Sequence, residues 1–264
     1  MERWYMSVIA LLLIGFVIIA GCTTTLPANE PGLEETDTTS VYIVGIDGDY
    51  APYSYIDRDG NPAGFDVESI EWIADEMGFQ VKIQPVEWNR IIPALLEKEI
   101  DMIYSGMSIT DERRELVGFS KPYWTANQSI AVRNESGIAI DDIMEGKAVI
   151  GTERGSTAAA WIEDTLVYTG KMPAENLALY GNISLAINAL EEEHVDAVIF
   201  DLPVLKEAIL ERPLMIVGIL KTSERYGIAV RKGDAELLET LNEGLDRLMD
   251  SPEWQELIEK YKLA

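Results

Sequence analysis

The sequence predicts an α/β fold in which mainly parallel sheets are covered by helices. From Val41 onward, short runs of β-branched and aliphatic residues alternate with stretches of helical periodicity, a pattern typical of such folds. The chain has 264 residues, of which 47% are hydrophobic, and this is enough for two lobes with cores of their own. We therefore expect two lobes of the same architecture, without a repeat in the sequence.

The first predicted elements are a strand, a turn and a helix. The strand covers Val41 to Ile46, and the run Asp59-Gly60-Asn61-Pro62 predicts a turn. A helix is expected from Asp66 and should stop at Gly78. The apolar face of this helix is formed by Val67, Ile70, Ile73, Ala74 and Met77.

The same alternation continues to the end of the chain. Further strands are predicted at 81–83, 102–104, 147–150, 176–179 and 197–200, with a helix at 91–98. A helix over 234–250 is followed by Ser251-Pro252-Glu253, which predicts another helix with serine at the N-cap and proline at the first helical position.

Composition excludes several classes of function. The formal net charge of −25 repels phosphate backbones, so nucleic-acid binding is not expected. The chain has one histidine, His194, and one cysteine, Cys22. One histidine and one cysteine are too few for zinc or copper sites, disulfides, Cys-His catalysis or a Ser-His-Asp triad built around a second histidine. His194 follows three glutamates and is interpreted as part of a solvated helix end, and no metal or cofactor is expected.

The N-terminal segment predicts export and attachment to a membrane. Arg3 precedes an apolar run that ends at Gly21-Cys22, so residues 1–21 are interpreted as a signal peptide. The run Ile19-Ala20-Gly21-Cys22 resembles the lipobox of prokaryotic lipoproteins, which makes Cys22 the expected lipidation site. An uncleaved membrane anchor is the alternative, since about 18 mostly apolar residues reach the length of a membrane span. Residues 22–40 follow as a flexible tether.

Five segments carry a resemblance to a known family. They are Gly45 to Tyr53, Gly64-Phe-Asp66, Ile100 to Arg113, Phe119 to Tyr123 and Tyr226 to Lys232. Over roughly residues 41–261 the chain resembles the family 3 extracellular solute-binding proteins, the polar amino-acid receptors of ABC importers. The resemblance implies a two-lobed, type II periplasmic-binding-protein-like fold with two crossing strands and a ligand between the lobes. Lobe 1 would comprise 41–129 plus 222–264, and lobe 2 would comprise 130–221.

Arg113 is the expected clamp for a ligand carboxylate. It lies five residues after Ser108, where a strand ends and a helix is expected to begin, so a planar two-pronged donor can meet free backbone N–H groups there. The resemblance implies the same role for Arg113 and adds Ser105, Gly106 and Ser108 as hydroxyl and backbone contacts. A surface arginine bonded to Glu115 is the alternative.

The second lobe is expected to supply the remaining contacts to the ligand's backbone groups. The segment Gly151 to Thr157 lacks the lysine of a P-loop, so phosphate binding is not expected. The resemblance assigns Ser156 and Thr157 to the ligand carboxylate and Asp201 to its ammonium. Simple helix N-caps are the alternatives for Ser156 and for Asp201.

The side-chain pocket is predicted less sharply. Tyr50 and Trp88 match positions that flank the ligand's side chain, with core packing as the alternative for Trp88. Asp47 matches a position that reaches basic ligands in some members, or it bonds the turn at Gly48. Asp66 is interpreted as a helix cap or an inter-lobe contact outside the pocket. The sequence departs from the commonest family pattern at Trp124 and Ala158.

Together these observations predict an extracytoplasmic lipoprotein that binds a polar amino acid, with a basic one favoured, and delivers it to a membrane permease. The partners implied are the amino acid, the permease and the membrane through the lipid, and the protein is expected to be a monomer. Two alternatives stay open, a sensory ligand-binding domain and a dehydratase-like enzyme on the same scaffold, which would need an acid or base in the cleft.

Overall fold

The computed structural model describes residues 39–263. The strands in chain order are β1 (Val41–Ile46), β2 (Asp49–Tyr50), β3 (Ser54–Ile56), β4 (Pro62–Ala63), β5 (Gln80–Pro85), β6 (Met102–Ile103), β7 (Gly118–Phe119), β8 (Trp124–Arg133), β9 (Ile150–Glu153), β10 (Leu177–Tyr180), β11 (Ala197–Asp201), β12 (Leu214–Tyr226) and β13 (Ala229–Val230). The helices are α1 (Phe65–Met77), α2 (Trp88–Leu96), α3 (Asp111–Leu116), α4 (Ile140–Met144), α5 (Thr157–Ile162), α6 (Ile183–Glu191), α7 (Leu202–Ala208), α8 (Ala235–Asp250) and α9 (Pro252–Lys260). The predicted signal peptide, Cys22 and nearly all of the tether lie outside the described residues. No helix in 39–263 is both long and apolar enough to cross a membrane.

Two five-stranded sheets form the centres of the two lobes. The first lobe contains the order β5-β1-β6-β13-β7, and the second contains β10-β9-β11-β8-β12. In each sheet three neighbouring strands run parallel, and the other two pair antiparallel. The prediction of mainly parallel sheets therefore holds for one side of each sheet. The other side is antiparallel. Its strands are those before, in and after the two crossings between the lobes: β7 and β13 in the first sheet, β8 and β12 in the second.

Strands β8 and β12 carry the chain between the lobes. They pair antiparallel from Trp124 opposite Tyr226 to Arg133 opposite Leu214. Their register is irregular between Leu220 and Glu224, and Ser223 there has φ 52°. The sequence places the second lobe boundary in this same stretch, and the boundaries themselves stay a prediction.

Most predicted elements form where the sequence places them, and two are displaced. Strand β9 begins at Ile150 instead of Lys147, because the N–H of Lys147 still bonds the carbonyl of Asp142 in the turn that ends α4. Helix α2 covers Trp88–Leu96 instead of 91–98, and Lys98 beyond it adopts φ 65°.

Helix termini follow the predicted chemistry with one exception. Gly78 ends α1 in the left-handed conformation, and its N–H bonds the carbonyl of Ala74. Ser251 stands at the N-cap of α9 with Pro252 next to it, but its hydroxyl donates to the carbonyl of Leu248 and does not cap the helix.

The N-terminal end of α1 depends on Gly64. This residue has φ 126° and ψ 170°, a region that essentially only glycine adopts. A Cβ atom added there would lie 2.3 Å from the backbone oxygen of Tyr53. The close approach lets the N–H groups of Phe65 and Asp66 bond the carbonyls of Pro52 and Tyr53.

Asp66 is fully buried and holds the loop after β6 in place. Its Oδ2 accepts hydrogen bonds from the N–H of Gly106 at 2.6 Å and from the hydroxyl of Tyr123 at 2.8 Å. Both partners belong to the first lobe, so Asp66 is neither a helix cap nor an inter-lobe contact, which corrects both expectations. Burial raises the pKa of Asp66 to about 8, although these two hydrogen bonds lower it.

We expect Gly64→Ala to lower the free energy of unfolding by about 2–6 kcal/mol, because it adds backbone strain and a clash with backbone atoms. Gly60→Ala is the matched control, since Gly60 also has positive φ but a Cβ there would meet no atom within 4 Å. The control should cost about 1–2 kcal/mol. Equal losses in chemical denaturation would contradict this account of Gly64.

The buried Asp66 predicts a pH dependence of stability. Its folded-state pKa lies above the unfolded value of about 4, so the folded chain binds the proton more tightly. The resulting stabilisation is complete below about pH 4 and is lost as the pH rises through about 8. The stability advantage of the wild type over Asp66→Asn should therefore grow when the pH is lowered from 8 to 5.

The control is Asp75→Asn, which removes one charge from an exposed position of the same helix. Its difference from the wild type should change little over this range. A difference between the wild type and Asp66→Asn that stays constant from pH 8 to pH 5 would contradict the assignment.

Candidate functional site

A small closed cavity lies between the two lobes, where the parallel strands of both sheets end. Its volume is about 10 Å³, room for about one water molecule, whereas ligand pockets commonly have roughly 300–1,000 Å³. The lining residues are Tyr50, Trp88, Gly106, Ser108, Arg113, Glu153, Ser156, Thr157, Phe200 and Asp201. Larger hollows, such as one of about 300 Å³ beside Trp124 and Tyr261, are open grooves on the surface. The cavity brings together eight of the ten residues predicted from the sequence to bind a ligand.

Arg113 reaches from the first lobe to the second. Thr110 caps α3 by accepting the N–H of Arg113, and one guanidinium nitrogen donates to the carbonyl of Ser108 at 2.9 Å. The other terminal nitrogen donates to the carbonyl of Gly155 at 3.2 Å, and the guanidinium carbon lies 5.2 Å from the centre of the Trp88 ring. Burial lowers the pKa of Arg113, but a guanidinium remains charged. The predicted alternative, a bond to Glu115, is not among its contacts in the described residues.

Asp201 is the last residue of β11 and lines the cavity from the second lobe. It occupies the N-cap position of α7, but its side chain makes no capping bond. Instead it accepts hydrogen bonds from the hydroxyl of Tyr50 at 2.5 Å and from the amide of Gln128 at 2.6 Å. Burial, followed by the charge of Glu224, raises the pKa of Asp201 to about 7.

Ser156 and Thr157 enter the cavity from the start of α5. The hydroxyl of Ser156 caps the helix by accepting the N–H of Ala159 at 3.1 Å and donates to the carbonyl of Glu153, so the N-cap alternative describes its side chain. The hydroxyl of Thr157 donates to Glu224 at 2.6 Å.

Glu224 is a residue that the sequence did not single out. It lies on the crossing strand β12 and accepts hydrogen bonds from Ser108 of the first lobe and Thr157 of the second, each at 2.6 Å. The amide of Gln128 donates to its other oxygen at 2.8 Å. Glu224 thus ties both lobes to the hinge. The clue in the sequence was its position two residues before the segment that begins at Tyr226.

Two predicted site residues, Asp47 and Ser105, do not line the cavity. The N–H of Asp47 donates to the hydroxyl oxygen of Ser105 at 2.9 Å, and Ser105 also bonds Ser54 at 2.7 Å. One oxygen of Asp47 accepts the N–H of Asp49, as the turn alternative predicts, and the other has no hydrogen-bond partner among the described residues. Asp47 borders an adjoining groove that it shares with Trp88.

Trp88 combines both of its predicted roles. It is partly buried against the cluster that contains Ile91 and Leu95, and its indole N–H donates to the carbonyl of Gly155 at 3.2 Å across the cleft. The two positions of family departure lie elsewhere. Trp124 packs against Phe65, Ala158 is buried in the second lobe, and neither lines the cavity.

Glu153 and Phe200 line the cavity and were missed by the sequence reasoning. Glu153 ends β9 with 1% of its surface exposed, and Oε1 accepts no hydrogen bond within residues 39–263. Burial, then the charges of Asp47, Asp49 and Asp201, raise the pKa of Glu153 to about 10. Ligands bind outside the carboxyl ends of parallel strands, but the predicted strand ended at Ile150, so Glu153 was not placed at such an end.

Additional contacts hold the lobes closed around the cavity. Asp49 of the first lobe accepts hydrogen bonds from the N–H and the hydroxyl of Ser184, at 3.1 and 2.7 Å, in the second lobe. The carbonyl of Gly155 accepts hydrogen bonds from the indole N–H of Trp88 and from the guanidinium of Arg113. The arrangement can therefore surround a small molecule with a guanidinium and a set of carboxyl groups, but only once the lobes have moved apart to make room for it.

Comparison with known proteins agrees with this geometry. The family model of the bacterial extracellular solute-binding proteins, family 3, matches residues 42–264. A probable histidine-binding protein of Neisseria gonorrhoeae is 27% identical over 99% of this chain and 96% of its own. An L-arginine-binding protein of Pseudomonas aeruginosa is 32% identical over 83% of this chain and 86% of its own.

Solved structures show the same two-lobed fold. An ancestral arginine-binding protein bound to arginine superposes with a TM-score of 0.77 at 32% identity, covering 84% of this chain and 98% of that one. An ancestral amino acid-binding protein described as a precursor of cyclohexadienyl dehydratase gives 0.76 at 32% identity, covering 84% and 95%. The chain therefore belongs to the bacterial extracellular solute-binding proteins, family 3.

Proposed function

We propose that this chain is the substrate-binding lipoprotein of an ABC amino-acid importer, which encloses a polar amino acid between its lobes and delivers it to a membrane permease. The observation that carries the proposal is the pairing of one guanidinium, from Arg113, with the buried carboxyl group of Asp201 in a closed cavity. An amino acid presents the complementary carboxylate and ammonium. The names of the relatives, which include histidine-, arginine- and cystine-binding proteins, support this ligand class.

The ligand's carboxylate would bind the guanidinium of Arg113. This group already has a fixed orientation, because it donates to two carbonyls and lies over Trp88. A planar guanidinium can bond a carboxylate through two parallel N–H groups, which adds geometric selectivity to the charge attraction. The predicted contacts from Ser108 and Thr157 would add to this clamp.

The ligand's ammonium would bind Asp201. The carboxyl of Asp201 is oriented by Tyr50 and Gln128 and is buried without a cation bonded to it in the described residues. An incoming ammonium would favour the ionised form of Asp201, whose pKa is about 7 in the closed protein. The side chain of the ligand would then lie between Tyr50 and Trp88, toward Asp47, which favours a basic residue.

The mechanism is two-state closure of the lobes about β8 and β12. The open form would take up the ligand on one lobe, and the inter-lobe bonds of Asp49, Trp88 and Arg113 would form on closure. The closed form, as a monomer, would dock on the permease.

A dehydratase-like enzyme is a second candidate that one observation favours. Glu153 is a buried carboxyl group at the cavity whose pKa of about 10 keeps it protonated, as a general acid must be. The scaffold is shared with an ancestral protein described as a dehydratase precursor. Recovery of the bound ligand unchanged after long incubation supports the receptor, whereas a ligand of altered mass supports the enzyme.

We expect Arg113→Ala to cost about 2–5 kcal/mol of binding free energy, because the ligand's carboxylate would lose its charge partner in a closed site. Arg114→Ala is the matched control, since Arg114 is exposed on the same helix. Isothermal titration calorimetry of the amino acid found in a thermal-shift screen measures both. Wild-type affinity in Arg113→Ala would contradict the assigned clamp.

Lipidation at Cys22 predicts that Cys22→Ala abolishes incorporation of labelled fatty acid in a bacterial host. Release of the variant from the membrane would accompany this loss if the signal peptide is still cleaved. A wild-type chain that incorporates no fatty acid and stays in the membrane would favour the uncleaved anchor.

A further inference from the structure

We propose that Glu153 determines specificity by pairing its carboxylate with a cationic group at the far end of the ligand's side chain, so that the site selects dibasic amino acids. This inference rests on the proposed function and names the ligand class of the same site. It concerns a residue that neither the sequence motifs nor the family resemblance singled out.

The first support is an unpaired oxygen. Glu153 is 1% exposed, lines the cavity, and its Oε1 has no hydrogen-bond partner in the part of the chain that the structure describes. A buried polar atom without a partner is costly and rare in folded proteins. A ligand that donates a hydrogen bond to Oε1 would remove this cost, which a purely structural role leaves unexplained.

The second support is the charge balance of the cavity. Among its lining residues Arg113 is the cation, while Glu153 and Asp201 are acidic. The carboxylate of a bound amino acid pairs with Arg113 and its ammonium pairs with Asp201. Glu153 is then left without a group of opposite charge. A second positive charge on the ligand completes the balance, whereas an acidic side chain would face Glu153 without a counter-charge.

The third support comes from the opposite lobe. Asp47 follows β1 in the first lobe, and its Oδ2 is also buried without a hydrogen-bond partner in the described residues. After burial, Asp47 is the strongest influence that raises the pKa of Glu153. Two such carboxyl groups contributed by different lobes can hold one guanidinium or ammonium between them, and closure would then depend on that cation.

Proton exchange follows from this arrangement. Without ligand, Glu153 keeps its proton at neutral pH, because it is buried and faces Asp47, Asp49 and Asp201. When the cation arrives, the O–H bond of Glu153 breaks, the carboxylate pairs with the cation and the proton leaves to the buffer. Binding therefore releases a proton, and between pH 6 and 8, where the ligand keeps both of its positive charges, affinity for the dibasic ligand rises with pH.

The test compares ligands that differ in distal charge, using the full chain refolded to remove bound ligand. The pairs are arginine with citrulline and ornithine with glutamine, titrated calorimetrically at pH 8 in phosphate and in Tris to count the protons released. The wild type should prefer the cationic member of at least one pair by roughly 100-fold. Glu153→Gln should reduce that preference to within about tenfold, keep the affinity for the neutral member and release fewer protons.

Glu175→Gln, at an exposed position of the second lobe, is the control and should behave as the wild type. A wild type that binds a neutral member of each pair as tightly as the cationic one would overturn the inference and leave the proposed function standing. An unchanged preference in a folded Glu153→Gln would do the same. A folded wild type that binds no amino acid at all would instead overturn the proposed function.

Discussion

The structure depends on burying charged groups between two lobes around a single guanidinium. Arg113 bonds the carbonyl of Gly155 across the cleft, and it lies near the buried carboxyl group of Asp201 and the partly buried carboxyl group of Glu224. Charges removed from water must be paired or neutralised. The cleft therefore closes at low cost only when a ligand supplies the missing partners, and this requirement couples binding to the movement of the lobes.

Two features of the chain serve this coupling. Gly155 has φ 79°, and its carbonyl accepts hydrogen bonds from the side chains of Trp88 and Arg113. One backbone group of the second lobe therefore bonds two side chains of the first. Glu224 lies on β12 beside the irregular pairing at 220–224 and bonds hydroxyls from both lobes. The strand β12 thus contributes directly to the hydrogen-bond network of the cavity. A ligand bound there would therefore lie beside the strand about which the lobes move.

Much of this could be predicted from the sequence because local chemistry determines it. Glycine at position 78, proline at position 252 and the apolar face of α1 act within a few residues, and the predicted elements formed there. The motif around Ser108 and Arg113 likewise identified one wall of the cavity. Lys147 was misplaced because a turn from the preceding helix extends into it, a contact that periodicity does not reveal.

The remaining site residues could not be predicted because their roles come from distant parts of the chain. In the sequence, Glu153 is a charged residue between Gly151 and Gly155, and only the packing of both lobes shows that it is buried. Gln128 meets Asp201 through the pairing of β8 with β11, and Glu224 on β12 meets Thr157 of α5, 67 residues away in the chain. Ser105 fits the motif, yet its hydroxyl is turned to Asp47 and Ser54 instead of the cavity.

The central claim is that the closed cleft traps an amino acid, and a thermal-shift screen of the refolded chain against the twenty amino acids tests it most directly. Ligand at about 100 times its Kd should stabilise the protein by roughly 2.7 kcal/mol. The account predicts a clear rise in Tm with one chemical class of amino acid. A folded protein whose Tm responds to none of them would contradict it.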